Sequence, residues 1–340
     1  MRQESFIARH GPEWDAFEAW LDARSKPPDP RHEPPPQLRW RGLRDETMPG
    51  AYRRLCHQLA LARRRGYSPQ VVDRLQGLMQ RGHAVLYRPA PVRWHAALAF
   101  LAGGFPRLVR SEWRCMLASL LLFAVPLVAM FAAVQWQPEL VHSLHAPSQV
   151  AQFEEMYEPG AKTLGRRDSA TDLAMFGYYI YNNVSIGLRT FASGLLAGVG
   201  SAIVLLVNGV MIGSVAGHLQ HIGYGDPFWR FVCGHSSLEL TAIVIAGGAG
   251  LQLGLRLIAP GKRRRRDALV EGGRRGGLLS LGVLVMLVLA AFVEAFWSSI
   301  GWMPATVKYS VAAVLWALVL LWLWRGGRGT ATQEEAGDAA

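Results

Sequence analysis

A histidine and a glutamate stand four residues apart in a segment that is otherwise apolar enough to cross a membrane. They are His235 and Glu239, within residues 231–246. On a helix, residues at this spacing share one face and lie one turn apart. A charge at the centre of a bilayer costs about 3 kcal/mol on insertion scales. Glu239 is therefore expected to be paired, turned toward the protein interior or placed near water.

Other polar residues fall in neighbouring apolar segments, where hydrocarbon would leave them without hydrogen bonds. Glu294 is a second such carboxylate, and Arg189 is a candidate partner for which Glu239 and Glu294 would compete. Hydrogen bonds between helices, at roughly 0.6–2 kcal/mol each, can satisfy these groups. The predicted intramembrane polar cluster consists of Asn182, Asn183, Arg189, Asn208, His235, Glu239 and Glu294.

The same pair could serve a metal ion, because histidine and carboxylate side chains four apart on a helix can both be ligands. A zinc-protease motif would need a second histidine after the glutamate, and none follows Glu239 at that spacing. His218 and His221 contribute only if the fold brings them close. Three interpretations stay open: a cluster that fixes helix packing, which we favour, a wet transport or proton path, and a metal or catalytic site. We predict no bound metal or cofactor.

Glycines at spacings of four mark two close-packing faces. They are Gly194 and Gly198, followed by Gly209, Gly213 and Gly217. Small residues at this spacing let helix backbones approach closely where lipid offers no hydrophobic drive. A packing face within one subunit and the interface of a homodimer are equally consistent with the pattern.

These residues must be positioned by membrane-spanning helices, which need about 20 mostly apolar residues. Residues 115–134, 278–300 and 305–324 are clear spans, and residues 231–258 form a fourth. Residues 170–220 are ambiguous, and the charges of the loops decide how to interpret them.

Loop charges predict the topology. The loop 256–275 has 8 basic and 2 acidic residues, whereas the loop 136–172 has 6 acidic and 3 basic residues. By the positive-inside rule the first is cytoplasmic and the second external. Residues 170–220 should then cross twice, which predicts six crossings with both termini cytoplasmic, and five crossings as the alternative.

The chain divides into unlike parts. Residues 1–110 contain 19 Lys and Arg against 10 Asp and Glu and have no apolar run long enough to span. We predict an all-α protein with a basic, cytoplasmic or membrane-surface helical domain at 1–110. A transmembrane helical domain at 111–326 and a disordered tail at 327–340 follow.

A run of basic residues in the loop after the fourth span has two interpretations. It consists of Lys262, Arg263, Arg264, Arg265 and Arg266. Directly after a span, such a run is typically a topology signal that also contacts lipid headgroups. We therefore predict binding to the bilayer surface and no nucleic-acid partner.

The order of the motifs resembles the stage II sporulation protein M family of bacterial integral membrane proteins. The resemblance rests on Asn182-Asn183 and residues 191–200, 208–213, 235–243, 247–254 and 290–295. Residues 6–10 with Trp14, and residues 52–55, look similar to the longer, non-sporulating branch. The family usually shows Pro-His-Gly before the buried glutamate, whereas this chain has Gly234-His235-Ser236.

The resemblance implies a non-enzymatic component of the bacterial inner membrane. In spore formers the family member anchors a peptidoglycan-degrading complex during engulfment, and other relatives look linked to MoxR-type AAA ATPases. We therefore predict a multi-pass scaffold or assembly protein, homodimeric through its glycine faces, with a role in envelope remodelling or in a MoxR-type system. A small-molecule or ion transporter is the first alternative, and an intramembrane metal-dependent hydrolase is the second.

Overall fold

A computed structural model describes most of the chain as two compact units. The described residues are 2–25, 47–86, 94–161, 163–165 and 172–328. The N-terminal unit is Met1–Val92 and the membrane unit is Arg93–Ala340, so the division precedes the predicted boundary at residue 110. The predicted disordered tail lies outside the described residues from position 329 onward.

The N-terminal unit is built from three helices around an aromatic core. They are α1 (Gln3–Ser25), α2 (Met48–Arg64) and α3 (Pro69–Leu86). Apolar residues recur at helical spacing on each, and α3 begins with a proline, which suits the first turn. The buried core side chains include Phe6, Trp14, Phe17, Leu21, Leu55, Leu59, Leu75 and Leu78.

Five helices of the membrane unit are long and apolar enough to span a membrane. They are α6 (Trp113–Trp136), α10 (Val199–His221), α11 (Gly225–Ile258), α12 (Arg265–Val293) and α13 (Ala305–Arg325). The short helices α4 (Trp94–Ala99) and α5 (Phe105–Ser111) precede them, and α7 (Leu140–Leu144) and α8 (Pro147–Met156) follow α6. A sixth long helix, α9 (Asp172–Ala192), lies between α8 and α10. The predicted all-α polytopic class is confirmed.

Helix α9 packs along α12, although it is not among the five helices that are apolar enough to span a membrane. Its residues meet α12 in reversed order: Asn183 bonds to Glu294, Gly187 packs on Leu287, and Phe191 packs on Gly276. The two helices are therefore antiparallel. With 21 residues, α9 is about 31 Å long, enough to cross the hydrocarbon core. It is not among the five candidate spans, so the first of the two crossings predicted for residues 170–220 stays a prediction.

The glycine face of α10 packs against α6 of the same chain. Gly209 lies against the Phe123 carbonyl, Gly213 against the Leu127 carbonyl and Gly217 against Phe131. Both residue series ascend together, so these helices are parallel, and a Cβ at Gly213 would collide with the backbone of α6.

The other glycine pair also packs within the chain. Gly194, in a short 3₁₀ turn, lies against the backbone of Gly250, and Gly198 lies against Gly254. Gly198 has φ of +82°, a left-handed conformation that glycine adopts at little cost and that turns the chain from α9 into α10. The two predicted faces are thus internal seams. A homodimer stays a prediction, but it cannot use these glycines.

Residues 94–110, which the sequence assigns to the N-terminal domain, belong to the membrane unit. Among them, the Phe105 ring is fully buried and stacks on Trp322 at 5.3 Å. Arg110 donates hydrogen bonds to the carbonyls of Leu323 and Gly326. These bonds satisfy carbonyls at the end of α13, which has no further helical turn to do so.

A cap segment, residues 137–165 as far as they are described, covers one end of the bundle. Its Leu164 donates a backbone hydrogen bond of 2.9 Å to Ser299, next to an isolated β-bridge between Thr163 and Ile300. Tyr157 packs edge-on against Phe228 and Phe231 of α11. The other end, which we call the basic end, carries the loop between α11 and α12.

Candidate functional site

Helix α11 places His235 and Glu239 on one face, as the spacing predicts. His235 Nε2 lies 3.6 Å from Glu239 Oε2, beyond a normal hydrogen bond. The other ring nitrogen, Nδ1, lies 3.0 Å from the Ser298 hydroxyl. His235 is 5% exposed, so its ring is enclosed by protein.

Glu294 and Ser298 reach this face through a local change in helix geometry. The end of α12 continues as a π-helical turn, Glu294–Ser298, which directs both side chains into the bundle. The Asn183 side-chain amide of α9 donates to Glu294 Oε2 at 3.2 Å, and the Asn182 side-chain amide donates to Oδ1 of Asn183 at 3.0 Å. Three helices thereby meet at one polar site.

The site contains three side chains of types that can coordinate a metal ion. One donor atom each from His235, Glu239 and Glu294 lies within 4.8 Å of the others. His235 and Glu294 are buried, whereas the Glu239 side chain is 19% exposed. Five of the seven predicted cluster residues therefore lie together: these three with Asn182 and Asn183.

Two predicted members of the cluster lie elsewhere. Arg189 was expected to pair with Glu239, but it is exposed and donates to the Ser185 carbonyl of its own helix. Asn208 likewise donates to the Val204 carbonyl one turn earlier, at 2.7 Å. Six residues separate Arg189 from Asn183, which places them on different faces of α9.

His218 and His221, the two further candidate ligands, also lie away from the polar site. His218 pairs with Glu154 of the cap segment at 2.8 Å, and His221 is exposed. His145 lies nearby, 2.8 Å from the Ser214 hydroxyl. Burial, followed by the proximity of His218, lowers the pKa of His145 below its usual range.

Sequence reasoning missed two residues beside the site, Lys308 and Ser298. Lys308 is fully buried in the first turn of α13, and its ammonium donates to the Ser298 carbonyl at 2.8 Å. The signal was available, since Lys308 is a cation inside an apolar run. Ser298 gave no signal, because a serine is unremarkable until the π-helical turn aims it at His235.

A cavity of about 320 Å³ lies at the capped end of the bundle but shares no lining residue with the polar site. Arg230 borders it and donates to the carbonyls of Gly301 and Met303. These bonds hold the turn between the π-helical segment and α13, so Arg230 ties the cap end of the bundle together.

The basic end carries the predicted headgroup-binding residues. Lys262 to Arg266 are exposed. Behind them, Arg256 pairs with Glu112 and Glu271, each at 3.3 Å. These pairs fix the start of α6 against α11 and α12, and binding of the exposed residues to lipid headgroups stays a prediction.

Comparisons with known proteins divide the chain as the structure does. Residues 119–299, more than half of the chain, match the family model described as Stage II sporulation protein M. Residues 4–88 match a model described as a domain of unknown function (DUF8413). No curated protein and no solved structure matches the chain.

Proposed function

Since this chain belongs to the stage II sporulation protein M family of membrane proteins, we propose that it is a non-enzymatic scaffold of the bacterial inner membrane. In this role the membrane unit is the anchor and the N-terminal unit is the recruiting module. Both termini are then cytoplasmic, as the loop charges predict. Envelope remodelling and a MoxR-type AAA ATPase system are the settings that the resemblance favours.

The enclosure of the polar site is the observation that carries the scaffold proposal. His235 and Glu294 are 5% and 8% exposed, and each has one polar atom bonded to a neighbouring helix: Nδ1 of His235 to Ser298, and Oε2 of Glu294 to Asn183. A transporter needs its binding groups to face a wet path. Buried side chains that are hydrogen-bonded to neighbouring helices suit a fixed junction between those helices.

A basic patch on the N-terminal unit supports the recruiting role. Arg63, Arg64 and Arg65 end α2 with exposed side chains. Clustered surface charge of one sign steers partners of the opposite sign and raises the rate of association. The partner surface that this patch would meet is acidic.

Charge reversal of the patch tests recruitment. The full-length chain, in native membranes, is cross-linked and purified as wild type and as the Arg64→Glu, Arg65→Glu double variant. A MoxR-type ATPase should be captured by the wild type and lost, about tenfold or more, from the variant. Arg9→Glu, an exposed reversal on α1, is the matched control and should keep the partner. Equal capture by all three proteins would contradict the role of the patch.

Flux measurements separate the scaffold from the transporter. Proteoliposomes containing wild type and Glu239→Gln are loaded with candidate ions, and the partner is captured in parallel. The scaffold predicts no protein-dependent flux in either. Flux in the wild type that Glu239→Gln abolishes, with capture unchanged, would replace the scaffold by the transporter.

A further inference from the structure

Three side chains of the types that bind metal ions meet in the membrane unit, and no lysine or arginine of the described residues pairs with their carboxylates. Donor atoms of His235, Glu239 and Glu294 lie within 4.8 Å of one another. In the part of the chain that the structure describes, neither carboxylate pairs with a lysine or arginine. The nearby Lys308 ammonium is bonded to the Ser298 carbonyl. Buried carboxylates this close together need protons or a cation to offset their charge.

We propose that His235, Glu239 and Glu294 bind one divalent transition-metal ion, and that zinc fits the donor set. Zinc accepts imidazole nitrogen and carboxylate oxygen at about 2.0–2.2 Å, so its tetrahedral ligands stand about 3.3 Å apart. The 3.6 Å between His235 Nε2 and Glu239 Oε2 is close to that value. The ligand atom of Glu294 lies within 4.8 Å of the other two, so binding requires it to move closer to them.

The nitrogen donor distinguishes this site from a site for calcium or magnesium. Those ions prefer oxygen ligands throughout, and magnesium keeps several waters. An imidazole beside two carboxylates suits zinc and the neighbouring first-row ions. The seam is also too enclosed to hold a hydrated magnesium ion, since His235 and Glu294 are buried.

The residues around the three ligands are arranged as supporting groups of a metal site. The Ser298 hydroxyl at 3.0 Å engages Nδ1 of His235, which leaves Nε2 directed toward Glu239. Asn183 holds one oxygen of Glu294, and Asn182 in turn holds the Asn183 amide. Hydrogen bonds to the far side of ligands fix their orientation and are a regular part of metal sites.

The π-helical turn is an independent observation in favour of a site. Glu294–Ser298 interrupts the α-helical register of α12. Single π turns within α-helices are rare and frequently occur at functional sites, because they re-aim side chains. Here the turn brings both a ligand, Glu294, and the group that orients His235 into the seam.

Bound metal would join α11 to the end of α12 through three protein ligands. Structural zinc sites usually have four, so a water or a fourth group would complete the coordination. The site is independent of the recruiting role proposed above, since it concerns how the membrane unit is held together.

Metal titration of the purified full-length protein tests the site. The protein carries an affinity tag without histidine, is treated with chelator in detergent, and is titrated with zinc followed by elemental analysis. The wild type should bind about one zinc ion per chain, and His235→Ala and Glu294→Gln should lose it. Glu154→Gln, which breaks the comparable His218–Glu154 pair, is the matched control and should bind as wild type.

Loss of zinc binding in a ligand variant could also result from misfolding, so a second variant keeps all three ligands. Ser298→Ala removes only the group that orients His235, and it should weaken zinc binding by about 10–100-fold. Folded wild-type protein that binds no more zinc than His235→Ala would overturn the proposal. So would zinc binding by the wild type that Glu239→Gln and Glu294→Gln both leave unchanged, because the two carboxylates would then not be ligands.

Discussion

The helices of the two units pack through opposite kinds of residue. The N-terminal unit buries large aromatic and aliphatic side chains, such as Trp14 and Leu75, and exposes its charges. The membrane unit exposes large apolar side chains, such as Leu121 and Trp136, and buries glycines together with two charged groups, Glu294 and Lys308. Water drives apolar surface together, whereas lipid does not, so close backbone contact and polar bonds must hold the membrane helices.

The difference teaches where each unit is vulnerable. In the N-terminal unit the sensitive positions are large residues, because removing one leaves a cavity. In the membrane unit they are the smallest residues, because adding a methyl group separates two backbones. Substitutions in both units test this contrast, and we take them from the largest expected effect to the smallest.

Removal of the Trp14 ring should have the largest effect. Trp14 is 2% exposed and its indole donates to the buried Gln58 at 2.6 Å. Trp14→Ala should destabilise the N-terminal unit by about 3–5 kcal/mol, through a cavity and a lost hydrogen bond. Hydrogen exchange of α1–α3 in the full-length protein measures the change.

A tryptophan on the other unit is the matched control for Trp14. Trp136 is 85% exposed at the end of α6. Trp136→Ala should leave the stability of the membrane unit within about 0.5 kcal/mol of wild type. Similar losses from the two substitutions would contradict the contrast between the units.

Addition of one methyl group at Gly213 is the second test. A Cβ there would collide with the Leu127 carbonyl, which belongs to a helix backbone and cannot rotate away. Gly213→Ala should cost about 1–3 kcal/mol and lower the thermal unfolding midpoint of the protein in detergent.

Gly277 provides the control for Gly213, because a Cβ there meets nothing within 4 Å. Gly277→Ala should be neutral or stabilising, by up to about 1 kcal/mol, since alanine is the better helix former. A neutral Gly213→Ala would show that the α6–α10 seam is looser than the structure has it.

The sequence predicted features that depend on neighbours along one helix. The His235–Glu239 pair and the glycine faces repeat every four residues, and this spacing alone places them on one face. The apolar runs and loop charges likewise predicted the membrane helices. Each of these signals is local.

Features that depend on contacts between helices were not predictable in the same way. The turn Glu294–Ser298 changes register as a π-helix, and nothing in its composition announces this. Whether the glycine faces meet another helix of the same chain or of a second copy is a property of the whole bundle. Arg189 shows the same limit, because its place on α9 does not reveal that it bonds to the Ser185 carbonyl of its own helix and not to Glu239.

The cap segment supplies the third test, through a buried histidine. His145 is 8% exposed and lies 2.8 Å from the Ser214 hydroxyl. Ser214→Ala should cost about 1 kcal/mol by removing this hydrogen bond. Faster hydrogen exchange of residues 140–156 in the variant would report the loss.

The same histidine predicts how the cap segment responds to pH. Because the pKa of folded His145 is lowered, chiefly by burial, the unfolded segment binds more protons near the ordinary histidine pKa. Stability of the cap segment should therefore fall as pH decreases through about 6.5. His145→Gln should flatten this dependence, whereas His142→Gln, an exposed control, should preserve it. An unchanged pH profile in His145→Gln would contradict the assignment.

The smallest effect is expected at the Glu13–Arg54 ion pair on the N-terminal unit. Partial burial opposes ionisation of Glu13, but hydrogen bonds from Arg54 and Gln58 outweigh it and lower the pKa of the carboxyl. The pair's contribution is therefore present at neutral pH and is lost as pH falls through the lowered pKa. A double-mutant cycle with Glu13→Gln and Arg54→Gln should give about 0.2–1 kcal/mol, and less in high salt. A coupling of several kcal/mol would mean that this unit, too, depends on its charges, and the contrast with the membrane unit would then rest on the glycine seams alone.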